Sequence, residues 1–225
     1  MTLPLRDVFV FGAGKVGTAL HRALRRAGVG TTKRAARRGW PRSPLAADLV
    51  IIAVRDDDVA TAAEDLAQTG IIGHRRRTVA VVHCAGALGP EALAAARGPR
   101  IAVAQMHPLI SFASRSKPPS LDEGLLLVRG DPPARRMSAQ LGRKLGMHPV
   151  QAADMDLHLY HAAAALVANG SATLLEQGAR LLREAGLEAA EADAALGILL
   201  RSVADNAQQV GLPAALTGPV RRGAH

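Results

Sequence analysis

The sequence holds one cysteine, Cys84, so no internal disulfide is possible and a reducing compartment is indicated. Aromatic residues are scarce as well, at 2%, which leaves almost no flat side chains on which nucleic-acid bases could stack. This scarcity decides how the charge is read. Lys and Arg number 28 against 19 Asp and Glu, a net charge of +9, and the arginines are scattered through an alanine-rich chain. An alanine- and arginine-rich composition explains such a surplus more simply than a nucleic-acid partner does, and a small anionic ligand would use the same charge. Long hydrophobic runs are missing too. None approaches the roughly 18 residues of a membrane span, and Arg6-Asp7 interrupts the only place for a signal-peptide core. The expectation is a cytoplasmic protein with no membrane and no nucleic-acid partner.

What the chain does contain is an alternation of strand and helix patterns. Apolar residues make up 48% of the 225, enough for a packed core. Val8-Phe9-Val10-Phe11 reads as a buried strand that stops at Gly12, after which Val16, Ala19, Leu20, Ala23 and Leu24 recur at helical spacing as far as Gly28. Val29 to Thr32 reads as a weaker second strand, followed by a loop at Gly39, Pro41 and Pro44. Leu49 to Val54 is apolar on both faces, as a central parallel strand covered by helices must be. Further strands at 79–82, 101–104 and 125–128 alternate with helices at 56–66, 90–96 and 134–145. From Asp154 onward only helix is found, one to about Ala185 and a second from about Glu188 to Val210. The predicted fold class is α/β, a mostly parallel sheet over residues 1–152 followed by a small all-helical domain over 153–225.

Gly12, Gly14 and Gly17 fall between the first strand and the first helix. In that context the first glycine permits a tight turn, the second lets backbone approach a pyrophosphate, and the third lets helix and strand pack closely. Gly12-Ala13-Gly14-Lys15-Val16-Gly17 is therefore the candidate cofactor loop, with amide donors from the helix N-terminus. About 20 residues further on, NAD-binding proteins carry an acid for the ribose hydroxyls. Here that stretch reads Thr31-Thr32-Lys33-Arg34, with Arg37 and Arg38 behind it. Positive charge at this place suits the 2′-phosphate of NADP, so NADP is expected ahead of NAD. The missing acid also argues against an S-adenosylmethionine methyltransferase, the main rival user of such loops.

Together with Asp48 to Val54, Asp56, His83-Cys84-Ala85-Gly86-Ala87-Leu88-Gly89, His107-Pro108-Leu109, Phe112, Tyr160-His161-Ala162-Ala163-Ala164, Asn169, Leu216-Thr217-Gly218-Pro219 and Arg222, this loop resembles one superfamily. It is the superfamily that contains pyrroline-5-carboxylate reductase, ketopantoate reductase and 6-phosphogluconate dehydrogenase, and more narrowly a Rossmann-like branch of it. The resemblance implies a Rossmann-type nucleotide-binding domain, a helical domain that often forms a dimer, and NADP-linked reduction of a C=N or C=O group of a small metabolite. It also implies that His161 and Asn169 contact substrate or cofactor. Three departures stand out. Arg55 replaces a usual proline, Cys84 stands where serine or threonine is common, and the chain closes at Gly223-Ala224-His225 where relatives continue. They keep open a second reading, a dinucleotide-binding sensor or regulatory protein without catalysis.

Ligands of open α/β sheets sit beyond the carboxyl ends of strands. His83 and His107 each follow a strand directly, so both are expected to face the nicotinamide side, and Ala53, Val54, His83 and Cys84 are taken as cofactor contacts. A histidine there either donates a proton while hydride arrives from the cofactor or is simply bonded to loop backbone. Cys84 reads more simply as a small packed residue than as a nucleophile. Asn169 follows His161 by about two helical turns, and the Thr217 hydroxyl either is aimed by its Gly-Pro turn or belongs to a plain turn. Asp154, His158 and His161 have the spacing of a metal stripe, yet N-capping accounts for Asp154 and a wet helix face for His158, so no metal is expected. Leu196, Leu199, Leu200 and Val203 form an apolar stripe in need of cover, from which a homodimer through residues 154–225 is expected.

Overall fold

The computed structural model describes residues 5–72, 77–152 and 154–215. The chain forms two compact units, Met1–Ala162 and Ala163–His225. In the first, seven strands form one sheet: β1 (Asp7–Phe11), β2 (Gly30–Arg34), β3 (Leu49–Ile52), β4 (Val79–His83), β5 (Ile101–Pro108), β6 (Leu125–Gly130) and β7 (His148–Val150). Their order is β2-β1-β3-β4-β5-β6-β7, and every neighbouring pair is parallel except β5 with β6. Because β2 lies on one side of β1 and β3 on the other, the order reverses there, and the crevice beyond these carboxyl ends is where such sheets take a ligand. Phe11 pairs with both Arg34 and Ile52, so the three strand ends finish level with one another.

Alternation along the strands divides the core into two layers. Val8, Val10, Leu49, Ile51 and Val82 pack against Leu20 and Leu24 of α1 (Lys15–Arg26) and Met137 and Leu141 of α3 (Pro132–Lys144). Phe9, Phe11, Val50, Ile52 and Val81 pack against Trp40, Leu93 and residues Ala63 and Leu66 of α2 (Val59–Thr69). β3 is buried along its whole length, which is why both faces of its sequence are apolar. Trp40 lies flat on Phe11 with ring centroids 3.8 Å apart and donates its indole N–H to the Ala62 carbonyl at 3.1 Å. These contacts pin the segment that follows β2 to the sheet.

The mostly parallel α/β architecture with a helical C-terminal part is as the sequence pattern predicts, with four local differences. Residues 90–96 wind as a 3₁₀ segment and not as an α-helix. β5 runs to Pro108, and a 16-residue excursion follows before β6 returns antiparallel. β7 adds three residues to the sheet where the sequence reads as a linker. Finally, Asp156 and not Asp154 caps α4 (Leu157–Glu184), its Oδ1 accepting from the amides of His158 at 2.9 Å and Leu159 at 3.1 Å.

The first unit includes the start of α4, through Ala162, whereas the sequence pattern changes about ten residues earlier. The second holds the rest of α4, α5 (Ala189–Val210) and the short α6 (Leu212–Ala215). Leu196 of α5 packs against Gly178 of α4, where an added Cβ would lie 2.9 Å from its Cδ1. Leu166, Leu174, Leu181, Leu199 and Val203 remain exposed. Among the described residues no helix is long and apolar enough to cross a membrane.

Candidate functional site

The three glycines of the first loop have three different environments. Gly12 has φ +123°, a conformation side chains rarely adopt, and a Cβ there would strike the Ala53 carbonyl. A Cβ on Gly17 would strike the Gly12 carbonyl oxygen and sit 3.2 Å from the Ala53 Cβ, so α1 and β3 can approach only because it is missing. Gly14 is the opposite case, exposed and with nothing within 4 Å of an added Cβ. It precedes α1 with no side-chain cap and no acidic residue in the first turn, so the orphan amides there face an open, bare-backbone cradle. A diphosphate fits those donors and that space. Ala13 and Val16 are half-buried and Lys15 is exposed at the helix start, while Ala53 is buried and Val54 half-buried across the crevice.

Lys33 and Arg34 are consecutive in β2 and so lie on opposite faces of the sheet. Lys33 donates from Nζ to Thr18 Oγ1 of α1 at 3.1 Å, and burial, followed by Arg22 and Arg115, holds its ammonium below the usual pKa. Arg34 donates from Nε to the Gly39 carbonyl at 2.6 Å and from Nη2 to the Arg38 carbonyl at 2.9 Å. It thereby fixes the 3₁₀ turn Ala36–Arg38, whose Arg37 and Arg38 side chains are exposed. The four cations named from the sequence are split: Arg34 and the turn carrying Arg37 and Arg38 are bonded together, and Lys33 is tied to α1.

At the end of β4, His83 is fully buried. Its Nδ1 accepts from the Ala85 amide at 3.2 Å, which leaves Nε2 to donate to the Gly89 carbonyl at 2.9 Å. Burial lowers its pKa, so the ring is neutral. Both ring nitrogens of His83 are thus bonded to backbone, at Ala85 and Gly89, in place of a proton-transfer partner. Its part is to shape the 84–89 loop. Cys84 is half-buried and packs against the core, and desolvation pushes its thiol up to about 12, which suits a small packed residue and not a nucleophile. Gln105, which sequence reasoning missed, supports the same loop from β5, donating from Nε2 to the carbonyls of Ala85 at 2.9 Å and Gly86 at 3.3 Å.

His107 lies two residues further along β5 on the same face as Gln105. Its Nδ1 lies 2.8 Å from the Tyr160 hydroxyl, with the two rings edge to face at 5.5 Å and 84°. Burial first, then the neighbouring His161 and His83, lower its pKa to about 4. Burial pushes the Tyr160 phenol up to about 12. A Cβ added to Gly86 would lie 2.8 Å from Nε2 of His107 and 3.1 Å from Nδ1 of His161. Two imidazole nitrogens thus converge on a spot that is open only because residue 86 has no side chain. Tyr160 was visible beside His161, but its bond to a residue 53 positions away was not.

Asn169 is exposed on α4 in the second unit, and Thr217 lies outside the described residues. Asp154 and His158 are exposed, and among the described residues no group of three or more His, Cys, Asp or Glu side chains could hold a metal.

A sheet whose strand order reverses at β1, with a glycine turn at a helix N-terminus and His107 near the end of β5, defines an open α/β fold followed by a helical unit. Residues 125–225 match the family model described as Domain of unknown function (DUF2520). Among solved structures, the fold is shared with a proposed NADP oxidoreductase from Bacteroides fragilis, at 18% identity over 97% of this chain and 86% of that one, TM-score 0.73. It is shared also with a pyrroline-5-carboxylate reductase from Coxiella burnetii, at 14% identity over 98% and 89%, TM-score 0.66. A third is the Plasmodium falciparum pyrroline carboxylate reductase with NADP bound, at 11% identity over 92% and 80%, TM-score 0.65. At these identities the likeness establishes the fold. No curated protein matches the sequence.

Proposed function

We propose that the protein is an NADP-dependent oxidoreductase that reduces a C=N or C=O group of a small, acidic metabolite. The observation that carries this reading is the cradle at Gly14, open and lined by unpaired helix amides, beside a basic strand where an acid would select NAD. The names of the structural relatives, NADP oxidoreductase and pyrroline-5-carboxylate reductase, support it. Bound NADPH would supply the hydride.

The chain's own residues do the rest. Backbone amides from Gly12 to Gly17 bind the diphosphate, and Arg34 with Arg38, helped by Lys33, meets the 2′-phosphate. Ala53, Val54 and the 84–89 loop wall the cofactor, and His107 gives a proton to the substrate oxygen or nitrogen. His161, Asn169 and Thr217 contact substrate, and the chain works as a homodimer joined through residues 154–225.

Fluorescence titration with NADPH, followed by NADPH oxidation with a panel of cyclic imines and 2-oxo acids, tests the reading. Binding with turnover is expected. Binding without turnover of any compound favours a sensor, and no binding overturns both.

A further inference from the structure

We infer that Tyr160 is the positioning residue of this site: its hydroxyl donates to Nδ1 of His107 and holds the imidazole in the tautomer that carries its hydrogen on Nε2, over Gly86. The inference rests on His107 serving as the proton donor, and it names the residue that selects which ring nitrogen does so.

A neutral imidazole has one donor nitrogen and one acceptor, and the partner of one decides the role of the other. The Tyr160 hydroxyl is 2.8 Å from Nδ1 and, among the described residues, has no second partner. The phenol keeps its proton across the working pH range, so that proton is available for Nδ1. Edge-to-face packing at 84° fixes the plane of the ring as well as its tautomer. Nε2, with its hydrogen, is then the atom that faces the space over Gly86, where Nδ1 of His161 also arrives.

The floor of this space is held independently. Gln105 grips the carbonyls of Ala85 and Gly86, and His83 grips the Ala85 amide and the Gly89 carbonyl, so Gly86 stays in place when a ligand atom enters. Any side chain at residue 86 would fill the spot that both imidazoles face. A carbonyl oxygen or imine nitrogen about 3 Å from Nε2 is placed to receive a proton. Bound NADPH would supply the hydride, and the part of this chain is the proton: Nε2 would release its hydrogen to the substrate heteroatom as negative charge builds there. Nδ1 would take the phenol proton at the same time, and the donor is restored when Nδ1 returns that proton to the phenolate and Nε2 takes one from solvent, which regenerates the neutral Nε2–H tautomer.

The test uses the full chain labelled with ¹⁵N-histidine and long-range ¹H–¹⁵N correlation spectra, without cofactor. The expected result is an unprotonated Nδ1 and a protonated Nε2 for His107, with Tyr160→Phe giving a mixture of both tautomers. A protonated Nδ1 in the wild type overturns the inference, and so does a Tyr160→Phe spectrum unchanged at His107. Should that variant not fold, the wild-type spectrum still decides. In turnover, Tyr160→Phe is expected to lower kcat about tenfold with KM within about twofold; a raised KM at constant kcat overturns the positioning role. A wild type with the Nε2–H tautomer but no turnover of any substrate overturns the reductase reading while upholding the tautomer assignment.

Discussion

The Gly12 amide donates to the Arg34 carbonyl at 2.8 Å, so the turn that closes β1 and the arginine that closes β2 are one hydrogen-bonded piece. Through its side chain Arg34 extends that piece to the Ala36–Arg38 turn. A diphosphate on the glycine loop and a phosphoryl group on the adjoining ribose would therefore meet donors whose spacing is set by the sheet.

Removing the side chain of Arg34 should separate the two cofactors. Arg34→Ala is expected to weaken NADPH about 10- to 100-fold, the value of a charge-assisted hydrogen bond, and NADH by less than about threefold. Lys33→Ala, on the other face of β2, should discriminate less. Fluorescence titration of both variants checks this, and equal losses for NADPH and NADH would remove the 2′-phosphate assignment.

The glycines should fail in different ways. Gly12→Ala forces a side chain to φ +123° and into the Ala53 carbonyl, at a cost of about 3 kcal/mol or more in unfolding free energy. Gly14→Ala meets open space, so its stability should change by about 1 kcal/mol or less while NADPH affinity falls at least about tenfold. Urea unfolding and cofactor titration on the same samples separate the effects. A stable Gly14→Ala protein with unchanged NADPH affinity would show that nothing approaches that backbone.

Acid should destabilise the fold through His107 and His83. Both have native pKa values below the unfolded 6.5, that of His107 at about 4, so the unfolded chain binds the extra protons. Their stability is complete above about pH 6.5 and declines as the pH falls toward 4, by up to about 3 kcal/mol for His107. Thermal melting across that window should show the decline, reduced in His107→Gln. A variant as acid-sensitive as the wild type would contradict the buried, neutral state of this imidazole.

The helical unit should dimerise. Leu166, Leu174, Leu199 and Val203 stay exposed, and a second copy would cover them. Light scattering is expected to give the dimer mass, and Leu166→Glu combined with Leu174→Glu the monomer mass. A monomeric wild type at micromolar concentration would refute it.

Much of the fold was legible because its signals are local. A four-residue apolar run bounded by glycine at β1 and helical spacing from Val16 to Leu24 specify strand, turn and helix without reference to distant residues. β7 was not legible, since His148-Pro149-Val150 is too short to carry a period and exists by pairing with β6. Asp154 and Asp156 are equivalent capping residues in sequence, and where the helix begins chose between them. The division between Lys33 and Arg34 was available from strand alternation, whereas the support that Gln105 lends to Gly86 needed the loop in place.

Strand alternation, the glycine turn and the missing acid after β2 were settled along the chain, because backbone sterics and side-chain period act between near neighbours. Which histidine keeps a usable nitrogen was settled by packing. His83 and His107 each follow a strand pattern, and nothing local tells them apart. Burial against Ala85 and Gly89 consumes both nitrogens of one, while Tyr160, folded back from 53 residues away, leaves Nε2 of the other facing Gly86.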